Sequence, residues 1–463
     1  MLASALAAAP FAAELVRVRR WLREDRTRAQ ARRGAPLAVF LIALAPRWWF
    51  IGQHPLDWYL VSNMAFYDTA ADHLISGRLS IHDTFTPIGY PALLALLFAC
   101  FGKSYALVGY AQALLGAFTC ALTQRITLRV TRSTWASLVA GVLLACYLPL
   151  VVYAGFLLTE TLFAFLLALF VCLLARAVDR PGLAFAGLAG LVLGAGTAVR
   201  PNLLLAFPLL LAYALYLRRS LPAASAPRVW RAPLWAVGFA LPVLAVVVVH
   251  NSRLAGRPVG VATNGGVNFF LGHCECRAVT FPRGSGVGEI SGHQNRLRYA
   301  VVIASARAPE DEPYFYRETL RRLAARPVLL ARALVNVGDG LMLTGLGEWP
   351  EHPYYPGWMG HEDELRAFGR GFAWLGIVPA LAHATWLAMR RRLPAKTEAT
   401  RVLLLALLAS MLATLYLYLG DPRMRVPFDP LLVALAVDAW WKVGRAARAR
   451  APAQSPITAA ARA

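Results

Sequence analysis

The sequence predicts an all-α polytopic membrane bundle of about ten spans, with outward-facing juxtamembrane helices and a small mixed α/β outer domain. Hydrophobic residues make up 58% of the 463-residue chain, more than the roughly 45–50% of an ordinary soluble domain. The mean hydropathy is +0.51. The apolar residues also form long runs, since Glu160 is the only charged residue between Arg132 and Arg176. That run is long enough for two spanning helices of roughly 20 residues each.

The formal net charge of the chain is +22. We interpret the basic residues as loop charges that orient the protein in the membrane. Nucleic-acid binding is the alternative explanation of such a charge. The basic residues flank apolar segments and form no separate basic domain, so we predict no nucleic-acid partner.

Ten segments of the chain are spanning candidates. They are residues 36–52, 104–124, 133–153, 157–177, 183–199, 202–217, 232–250, 371–389, 402–419 and 426–441. The segment 88–102 is ambiguous, because its apolar part, Ala92–Phe101, would reach only about 15 Å as a helix. That length is half the hydrocarbon thickness of a bilayer, and Gly89 and Pro91 interrupt the start of the segment.

The positive-inside rule decides whether residues 88–102 cross the membrane. If the Arg-rich N-terminus is cytoplasmic and 88–102 does not cross, every later basic loop also falls inside. Those loops are Arg125–Arg132, Arg176–Arg180, Arg218–Arg231, Arg390–Arg401 and the tail from Lys442. If 88–102 crossed, the first four would move outside. We therefore predict ten spans, both termini inside, and a half-buried outer segment at 88–102.

This topology divides the chain into five parts. They are a cytoplasmic basic amphipathic segment (1–35), a transmembrane module (36–250) with an outer loop (53–103), an extracytoplasmic domain (251–370), C-terminal transmembrane helices (371–442) and a cytoplasmic basic tail (443–463). Hairpin-like turn chemistry at Thr263-Asn264-Gly265-Gly266 favours strands in the outer domain. The sequence shows no internal repeat of the kind found in many transporters. We predict a multi-pass protein of a bacterial inner membrane, with its site facing the periplasm.

The first outer loop has the spacing of a helix that lies on the membrane surface. Asn63, Tyr67, Ala71 and Leu74 repeat at helical intervals, and Gly77 is placed to end the helix. Asp68 and Asp72 share the same spacing on a neighbouring face. An interfacial helix with a solvated acidic face is the simplest explanation of this pattern.

Glu160 lies in FLLTETLF, at the outer end of the fourth predicted span. A carboxylate in such a segment costs a few kcal/mol on insertion scales. We expect it to face the bundle interior or a water-filled cavity. The alternative is an acid that reaches the membrane interface.

Three Arg residues fall on the outer side, against the positive-inside trend. Arg200 ends the fifth predicted span and precedes Asn202, and Arg423 and Arg425 lie in LGDPRMRVPFDP. Guanidinium groups suit phosphate because they donate bidentate hydrogen bonds. The pattern indicates an anionic ligand near the membrane surface. Structural pairing of these Arg with Asp421, Glu160 or lipid head groups is the alternative.

The order of these features resembles the membrane-embedded GT-C glycosyltransferases that use polyprenyl-phosphate sugars, a group that includes protein O-mannosyltransferases and lipid A aminoarabinose transferase. The resemblance runs over most of residues 36–440. Its motifs are, in order, FYDTAADHLISG, TPIGYPALLALLFACFG, VYAGFLLTETLF, GAGTAVRPN, TNGGVNFFLG and RMRVPFDP.

The resemblance implies transfer of a sugar, with inversion, from a polyprenyl phosphate to an extracytoplasmic acceptor that is a protein, lipid or glycan. An outward carboxylate would act as the general base, an effect of about 10²–10⁴-fold. Arg, Lys or a divalent metal would offset the charge of the leaving phosphate. By the same resemblance Glu160 is the second acid, and Arg200, Arg423 and Arg425 meet the lipid phosphate. Substrate contacts are also expected at Asn63, Tyr67 and Asn202.

Asn63 departs from the family pattern. The principal acid of the first outer loop usually stands four residues before the tyrosine, and here an amide, which cannot act as a base, takes that place. Either Asp57 or Asp68 supplies the carboxylate, or the chain has lost ordinary transfer activity.

The segment LGHCECRAV contains His273, Cys274 and Cys276, and His293 follows. These residue types can bind zinc, but the spacing C-x-C is not a strong zinc signature. We predict that the segment helps to shape a substrate cavity and assign no metal site.

Three functions remain open from the sequence. The first is a glycosyltransferase of the cell envelope with a polyprenyl-phosphate donor. The second is a flippase or transporter of lipid-linked sugars, which would need polar residues at mid-membrane depth. The third is a non-catalytic family member that binds a lipid-linked sugar, which Asn63 would explain.

Overall fold

The computed structural model describes residues 34–56, 60, 63–220, 229–273, 308–344, 346, 361–389, 396–418 and 420–450. The α-helices are α1 Gly34–Gln53, α2 Asn63–Ser76, α3 Gly89–Phe101, α4 Tyr105–Thr131, α5 Thr134–Ala145, α6 Leu148–Val152, α7 Glu160–Asp179, α8 Leu183–Val199, α9 Ala206–Ser220, α10 Arg231–Ala255, α11 Gly265–His273, α12 Ala308–Ala325, α13 Val328–Met342, α14 Glu362–Phe372, α15 Val378–Met389, α16 Lys396–Leu417 and α17 Asp429–Arg450. Short 3₁₀ turns occupy Ile81–Thr84, Tyr153–Gly155, Pro201–Leu205, Pro422–Met424 and Val426–Phe428.

Six helices in the described part of the chain are long and apolar enough to cross a membrane. They are α1, α4, α7, α10, the stretch Pro201–Ser220 that contains α9, and Glu398–Leu417 within α16. A pair of helices bent by 59°, Thr134–Ala145 with Leu148–Gly155, would make a seventh. The chain is thus a multi-pass helical membrane protein, but the ten predicted spans are not found among these residues.

The missing spans have physical causes. The predicted span 183–199 is the shorter apolar helix α8, with 17 residues. The predicted span 371–389 is divided by a π-helical turn at Ala373–Ile377. The predicted span 426–441 begins in the 3₁₀ turn Val426–Phe428 and continues in α17, which carries charged side chains such as Asp438 along its length.

The bend in the predicted span 133–153 is held by a buried cation on α1. Arg47 is fully buried. Its Nη1 donates to the Ala145 carbonyl over 3.2 Å, and its Nη2 donates to the Leu144 carbonyl over 3.4 Å. The Leu144 carbonyl also accepts from the Tyr147 N–H over 3.3 Å, so Arg47 adds hydrogen bonds to the last carbonyls of α5 where the chain turns into α6.

The predicted mixed α/β outer domain is not found among the described residues of 251–370, which are helical and contain no strand. The predicted hairpin turn at residues 263–266 is wrong, since Gly265 begins α11. A Cβ on Gly266 would lie 2.5 Å from the Glu312 carbonyl oxygen. The two glycines therefore serve the close packing of α11 on α12. Thr263 N also donates to the Thr84 carbonyl over 2.9 Å, which joins this segment to the first outer loop.

The helix predicted in the first outer loop is present as α2, Asn63–Ser76. It ends as expected at Gly77, whose φ of +68° is the left-handed conformation that favours glycine.

The apolar segment 88–102 forms α3, whose 13 residues span about 20 Å. That length is short of a hydrocarbon core of about 30 Å, in agreement with its exclusion from the predicted spans. A Cβ on Gly89 would lie 2.7 Å from the Ala198 carbonyl carbon. The start of α3 is therefore in close contact with the end of α8, beside Arg200.

Charged side chains gather at both ends of the bundle. One end, which we call the site end, contains the start of α7, the end of α8 and the turn between α16 and α17. The opposite end contains Asp179, at the end of α7, paired with Arg129, and Arg401 paired with Asp438. The 20 residues of α7 separate the two ends by about 30 Å.

Residues 1–33 and 451–463 lie outside the described residues. They include most of the predicted cytoplasmic segment and tail.

Candidate active site

Three charged residues from distant parts of the chain meet at the site end, and we call them the Glu160 cluster. Arg200 Nη2 lies 2.8 Å from Glu160 Oε1. Arg423 Nε donates to the same oxygen over 2.7 Å. The exposed fractions are 0% for Glu160, 8% for Arg200 and 6% for Arg423. A buried carboxylate therefore bridges two buried guanidinium groups.

The local sequence explains why Arg200 lies at this point. Pro201 follows it, and the residue before a proline is driven out of the helical conformation. Arg200 accordingly has φ −141° and ψ 100° and ends α8. Its Nε donates to Thr159 Oγ1 over 2.8 Å, and its Nη1 donates to the Arg423 carbonyl over 2.9 Å.

The cluster carries two cations for one carboxylate, so it has one excess positive charge before its neighbours are counted. Buried charges are tolerated when they are paired and hydrogen-bonded, and Glu160 Oε1 meets that need. Among the described residues, however, Glu160 Oε2 is buried and has no hydrogen-bond partner. A buried acceptor without a donor costs about 1–3 kcal/mol, so a hydrogen-bond donor from outside the described residues would be stabilised at Oε2.

Tyr67 of α2 forms one wall of the cluster. Its hydroxyl is hydrogen-bonded to the Thr159 side chain, and it lies in the field of Glu160, Arg200 and Arg423. Burial raises the pKa of Tyr67, and the nearby Arg423 opposes this shift only in part. The Tyr67 hydroxyl is therefore neutral and can donate a hydrogen bond.

A second layer of aromatic and amide groups supports Tyr67. The rings of Tyr67 and Tyr90 meet edge to face, with centroids 5.2 Å apart. Tyr90 donates to Gln112 Oε1 over 2.9 Å. Gln112 Nε2 donates to the carbonyls of Ala154 and Phe156 over 3.1 and 2.7 Å. This chain of contacts links α2 to the backbone just before Glu160.

Asp421 lies at the edge of the cluster, in the turn that carries Arg423. Its Oδ1 accepts a hydrogen bond from the Arg423 backbone N–H over 2.9 Å. Its side chain is half-buried, whereas the members of the Glu160 cluster are buried. Burial raises the pKa of Asp421, and Arg423 opposes this shift.

Arg425 lies outside the Glu160 cluster and has its own partners. Its Nε donates to Asp429 Oδ1 over 2.9 Å, and Asp429 Oδ2 accepts from the Tyr147 hydroxyl over 2.7 Å. Its Nη1 donates to the carbonyls of Gly340, Leu341 and Leu343 at the end of α13. Arg425 therefore caps a helix and forms a buried ion pair, although the resemblance placed it with the lipid phosphate.

Asp68, a candidate base, belongs to a different group of side chains. Its Oδ2 accepts from Lys103 Nζ over 2.9 Å and from the Tyr105 hydroxyl over 3.0 Å. Lys103 also pairs with Asp72 over 2.6 Å. Because consecutive residues of a helix point about 100° apart, Tyr67 faces the Glu160 cluster while Asp68 faces Lys103.

Two of the remaining predicted site residues, Asn63 and Asn202, lie within the described residues. Asn63 begins α2, one turn before Tyr67 on the same face. Asn202 Nδ2 lies 3.4 Å from Thr414 Oγ1, which ties the turn after α8 to α16. Asp57, the other candidate base, lies outside the described residues, as do Cys274, Cys276 and His293.

No group of three or more His, Cys, Asp or Glu side chains that could hold a metal ion occurs within the described ranges. Two carboxylates lie at this site, Glu160 within the cluster and Asp421 at its edge. Glu160 is already paired with Arg200 and Arg423.

Sequence reasoning did not single out Thr159, Tyr90 or Gln112. Gln112 could have been found, because an amide inside an apolar span needs a partner. It lies in the predicted span 104–124 and is completely buried. Thr159 and Tyr90 carry no comparable signal, since both residue types are common at helix ends near a membrane interface.

No family model matches the sequence, and no curated protein matches it either. Solved structures match it in fold. One is the crystal structure of the Archaeoglobus fulgidus oligosaccharyltransferase tethered to an acceptor peptide containing the NVT sequon, with 13% identity, a TM-score of 0.50, and coverage of 91% of this chain and 51% of that chain. Another is the archaeal oligosaccharyltransferase AglB from Archaeoglobus fulgidus in complex with an inhibitory peptide and a dolichol-phosphate, with 15% identity, a TM-score of 0.48, and coverage of 91% and 52%.

The chain thus spans about half the length of these two proteins. The first likeness is one of fold: this chain shares the fold of part of that archaeal oligosaccharyltransferase.

Proposed function

We propose that this protein is a membrane glycosyltransferase that moves a sugar, with inversion, from a polyprenyl-phosphate-linked donor to an extracytoplasmic acceptor. The observation that carries the proposal is the Glu160 cluster. It places two guanidinium groups and one carboxylate, all buried, at one end of an apolar helical bundle.

The charge of the cluster suits the chemistry of the leaving group. When the anomeric bond breaks, negative charge develops on the lipid phosphate. Fixed cations in a site that excludes water stabilise such charge more than they would in water. Glu160 holds Arg200 and Arg423 in place through a single oxygen, so their position does not depend on the substrate.

The position of the cluster suits a lipid-linked donor. Glu160 begins α7, a helix that is long and apolar enough to cross a membrane. A phosphate next to its first turn would lie near the membrane surface while the polyprenyl chain remained in the hydrocarbon. The partial positive charge at a helix N-terminus favours an anion at the same place.

The fold gives further support. The chain shares its GT-C-like fold with an oligosaccharyltransferase that was captured with an acceptor peptide. A peptide or protein is therefore among the acceptors to be tested, together with lipids and glycans. The active site would face the periplasm of a bacterial inner membrane, in agreement with the distribution of basic loops.

The test is transfer by purified protein in nanodiscs, supplied with polyprenyl-phosphate hexoses and pentoses and with a panel of acceptors. Glu160→Gln and Arg423→Gln should abolish formation of labelled product. Asp363→Asn is the matched control, because it neutralises an exposed acid that pairs with Arg366, and it should retain wild-type transfer. Wild-type rates in both cluster variants would contradict this assignment of the site.

A non-catalytic protein that binds a lipid-linked sugar is the second candidate. It is favoured by Asn63, because an amide, which cannot act as a base, stands where the family pattern has its principal acid. Separate measurements of donor binding and of turnover distinguish the two functions. Binding without turnover favours this second candidate. Movement of the donor between leaflets without sugar transfer favours a flippase.

A further inference from the structure

We infer that Asp421 is the general base of the proposed transfer and takes the proton of the acceptor hydroxyl. This role rests on the proposed function and goes beyond it, because Asp57 and Asp68 are the bases that the sequence suggests.

The exposure of the acids at the site end favours Asp421. Glu160 is completely buried beneath two guanidinium groups. Asp421 is half-buried at the edge of the same cluster, in the electrostatic field of Glu160, Arg200 and Arg423. Asp421 is therefore the more exposed residue of these two acids.

The backbone around Asp421 is held in a fixed position. Asp421 Oδ1 accepts from the Arg423 N–H, which orients the carboxylate and directs its second oxygen away from that bond. A Cβ on Gly420 would lie 2.3 Å from the Asn336 carbonyl oxygen, so this part of the chain is in direct contact with α13. Asn336 Nδ2 also donates to the Tyr418 carbonyl over 3.2 Å. A general base needs this kind of fixed geometry to act within hydrogen-bond reach of the proton.

The charges also balance through the reaction. Before transfer, Arg200 and Arg423 are matched by Glu160 and Asp421. The acceptor oxygen forms a bond to the anomeric carbon, its proton passes to Asp421, and the bond from the anomeric carbon to the phosphate oxygen breaks with its electron pair on the phosphate. Protonated Asp421 leaves the four side chains with one excess positive charge, beside the new negative charge of the lipid phosphate. Asp421 then releases the proton to solvent.

The acidity of Asp421 fits this role. Burial raises its pKa above the ordinary value of 3.8, and Arg423 opposes the shift only in part. A carboxylate with a raised pKa is a stronger base. Only the ionised form accepts a proton, so transfer should rise with pH as Asp421 loses its own proton.

Asp421→Asn separates this role from a purely structural one. The amide oxygen can still accept from the Arg423 N–H, so the turn is preserved, but an amide is not a base. We expect kcat to fall about 10²–10⁴-fold, with little change in the KM for the donor and in the melting temperature. The residual activity should lose the acid limb of the pH profile. Asp363→Asn is the matched control, because it neutralises an exposed acid that pairs with Arg366, and it should retain both the wild-type kcat and the limb.

A second variant tests whether the loss of kcat comes from a change in the turn rather than from loss of the base. Asp421→Ser also retains an oxygen that can cap the Arg423 N–H, and it should show the same loss of kcat. A wild-type kcat in either folded Asp421 variant would overturn the role of Asp421 while leaving the transferase function in place. A wild-type protein that transfers none of the sugars supplied would overturn the proposed function, and the role of Asp421 with it.

Discussion

Glu160 and Arg423 lie 263 residues apart in the sequence, yet Arg423 Nε donates to Glu160 Oε1 over 2.7 Å. The contact joins the first residue of α7 to the turn between α16 and α17. At the site end of the bundle it connects elements from the two halves of the chain. Arg200, at the end of α8, shares the same oxygen, so one carboxylate fixes the relative positions of three elements.

The stability of the protein should depend on Glu160. Replacing Glu160 by Gln leaves Arg200 and Arg423 buried without a counter-charge, and the loss of one partner from a buried ion pair costs about 3–5 kcal/mol. We expect a clearly lower midpoint of thermal or denaturant unfolding in detergent. The control is Asp363→Asn, whose side chain is 94% exposed in its pair with Arg366 and should cost at most about 1 kcal/mol. Equal midpoints for the two variants would mean that the buried pair contributes little net stability.

The contact between α3 and α8 should tolerate no side chain at Gly89. A Cβ there would lie 2.7 Å from backbone atoms of Ala198 and Val199, and backbone cannot move aside as a flexible side chain can. Gly89→Ala should push α3 away from the residue that precedes Arg200, and so lower both stability and sugar transfer. Gly52→Ala is the matched control, because nothing lies within 4 Å of a Cβ at that helical position. If both substitutions leave melting temperature and transfer unchanged, α3 does not help to position Arg200.

Much of this site could be predicted from sequence because its charges stand out against an apolar background. Glu160 is the only acid in a long apolar run, and the prediction that it faces the interior agrees with its complete burial. The placement of Arg425 could not be predicted in the same way. Its acceptors, the carbonyls of Gly340 and Leu341, lie more than 80 residues away in the chain, and backbone acceptors leave no mark on the sequence.

The two faces of α2 illustrate a second limit. Asn63 and Tyr67 repeat at helical spacing, and so do Asp68 and Asp72. Spacing alone therefore does not show which of the two faces packs against the bundle. The choice is made by tertiary partners, because Lys103 pairs with both acids while Tyr67 packs on Tyr90. One of the ten predicted spans, 133–153, is bent for a similar reason, since Arg47 makes tertiary hydrogen bonds at a bend that hydropathy does not detect.

The hydroxyl of Tyr67 should matter through Thr159 and Arg200. Tyr67→Phe removes the hydrogen bond to Thr159, whose Oγ1 accepts from Arg200 Nε. A hydrogen bond of this kind contributes about 0.5–1.5 kcal/mol, so we expect a modest loss of stability and a measurable loss of transfer. The control is Tyr110→Phe, because the Tyr110 side chain is exposed. Transfer by Tyr67→Phe equal to that of Tyr110→Phe would show that Thr159 orients Arg200 without help from Tyr67.

The opposite end of the bundle should affect stability without affecting chemistry. Asp438 is buried and accepts from Arg401 Nε over 2.8 Å and from Arg401 Nη2 over 2.9 Å. It also lies 2.7 Å from His383 Nε2. Asp438→Asn removes one of two carboxylates that pair with the buried Arg401, the other being Glu398. Loss of the only partner of a buried charge costs about 3–5 kcal/mol, so we expect a smaller loss of stability here.

The expected outcome for Asp438→Asn is a lower unfolding midpoint with a wild-type kcat for the protein that remains folded. Arg401 lies near the start of α16, and the turn that carries Asp421 and Arg423 follows the end of the same helix. The part of α16 from Arg401 to Leu417 separates them by about 24 Å. A loss of kcat in fully folded Asp438→Asn, at a temperature well below its midpoint, would show that the two ends are coupled along α16. If the two ends are coupled, Asp438→Asn and Glu160→Gln should both lose stability and activity. If the two ends are independent, both variants should lose stability, but only Glu160→Gln should lose activity.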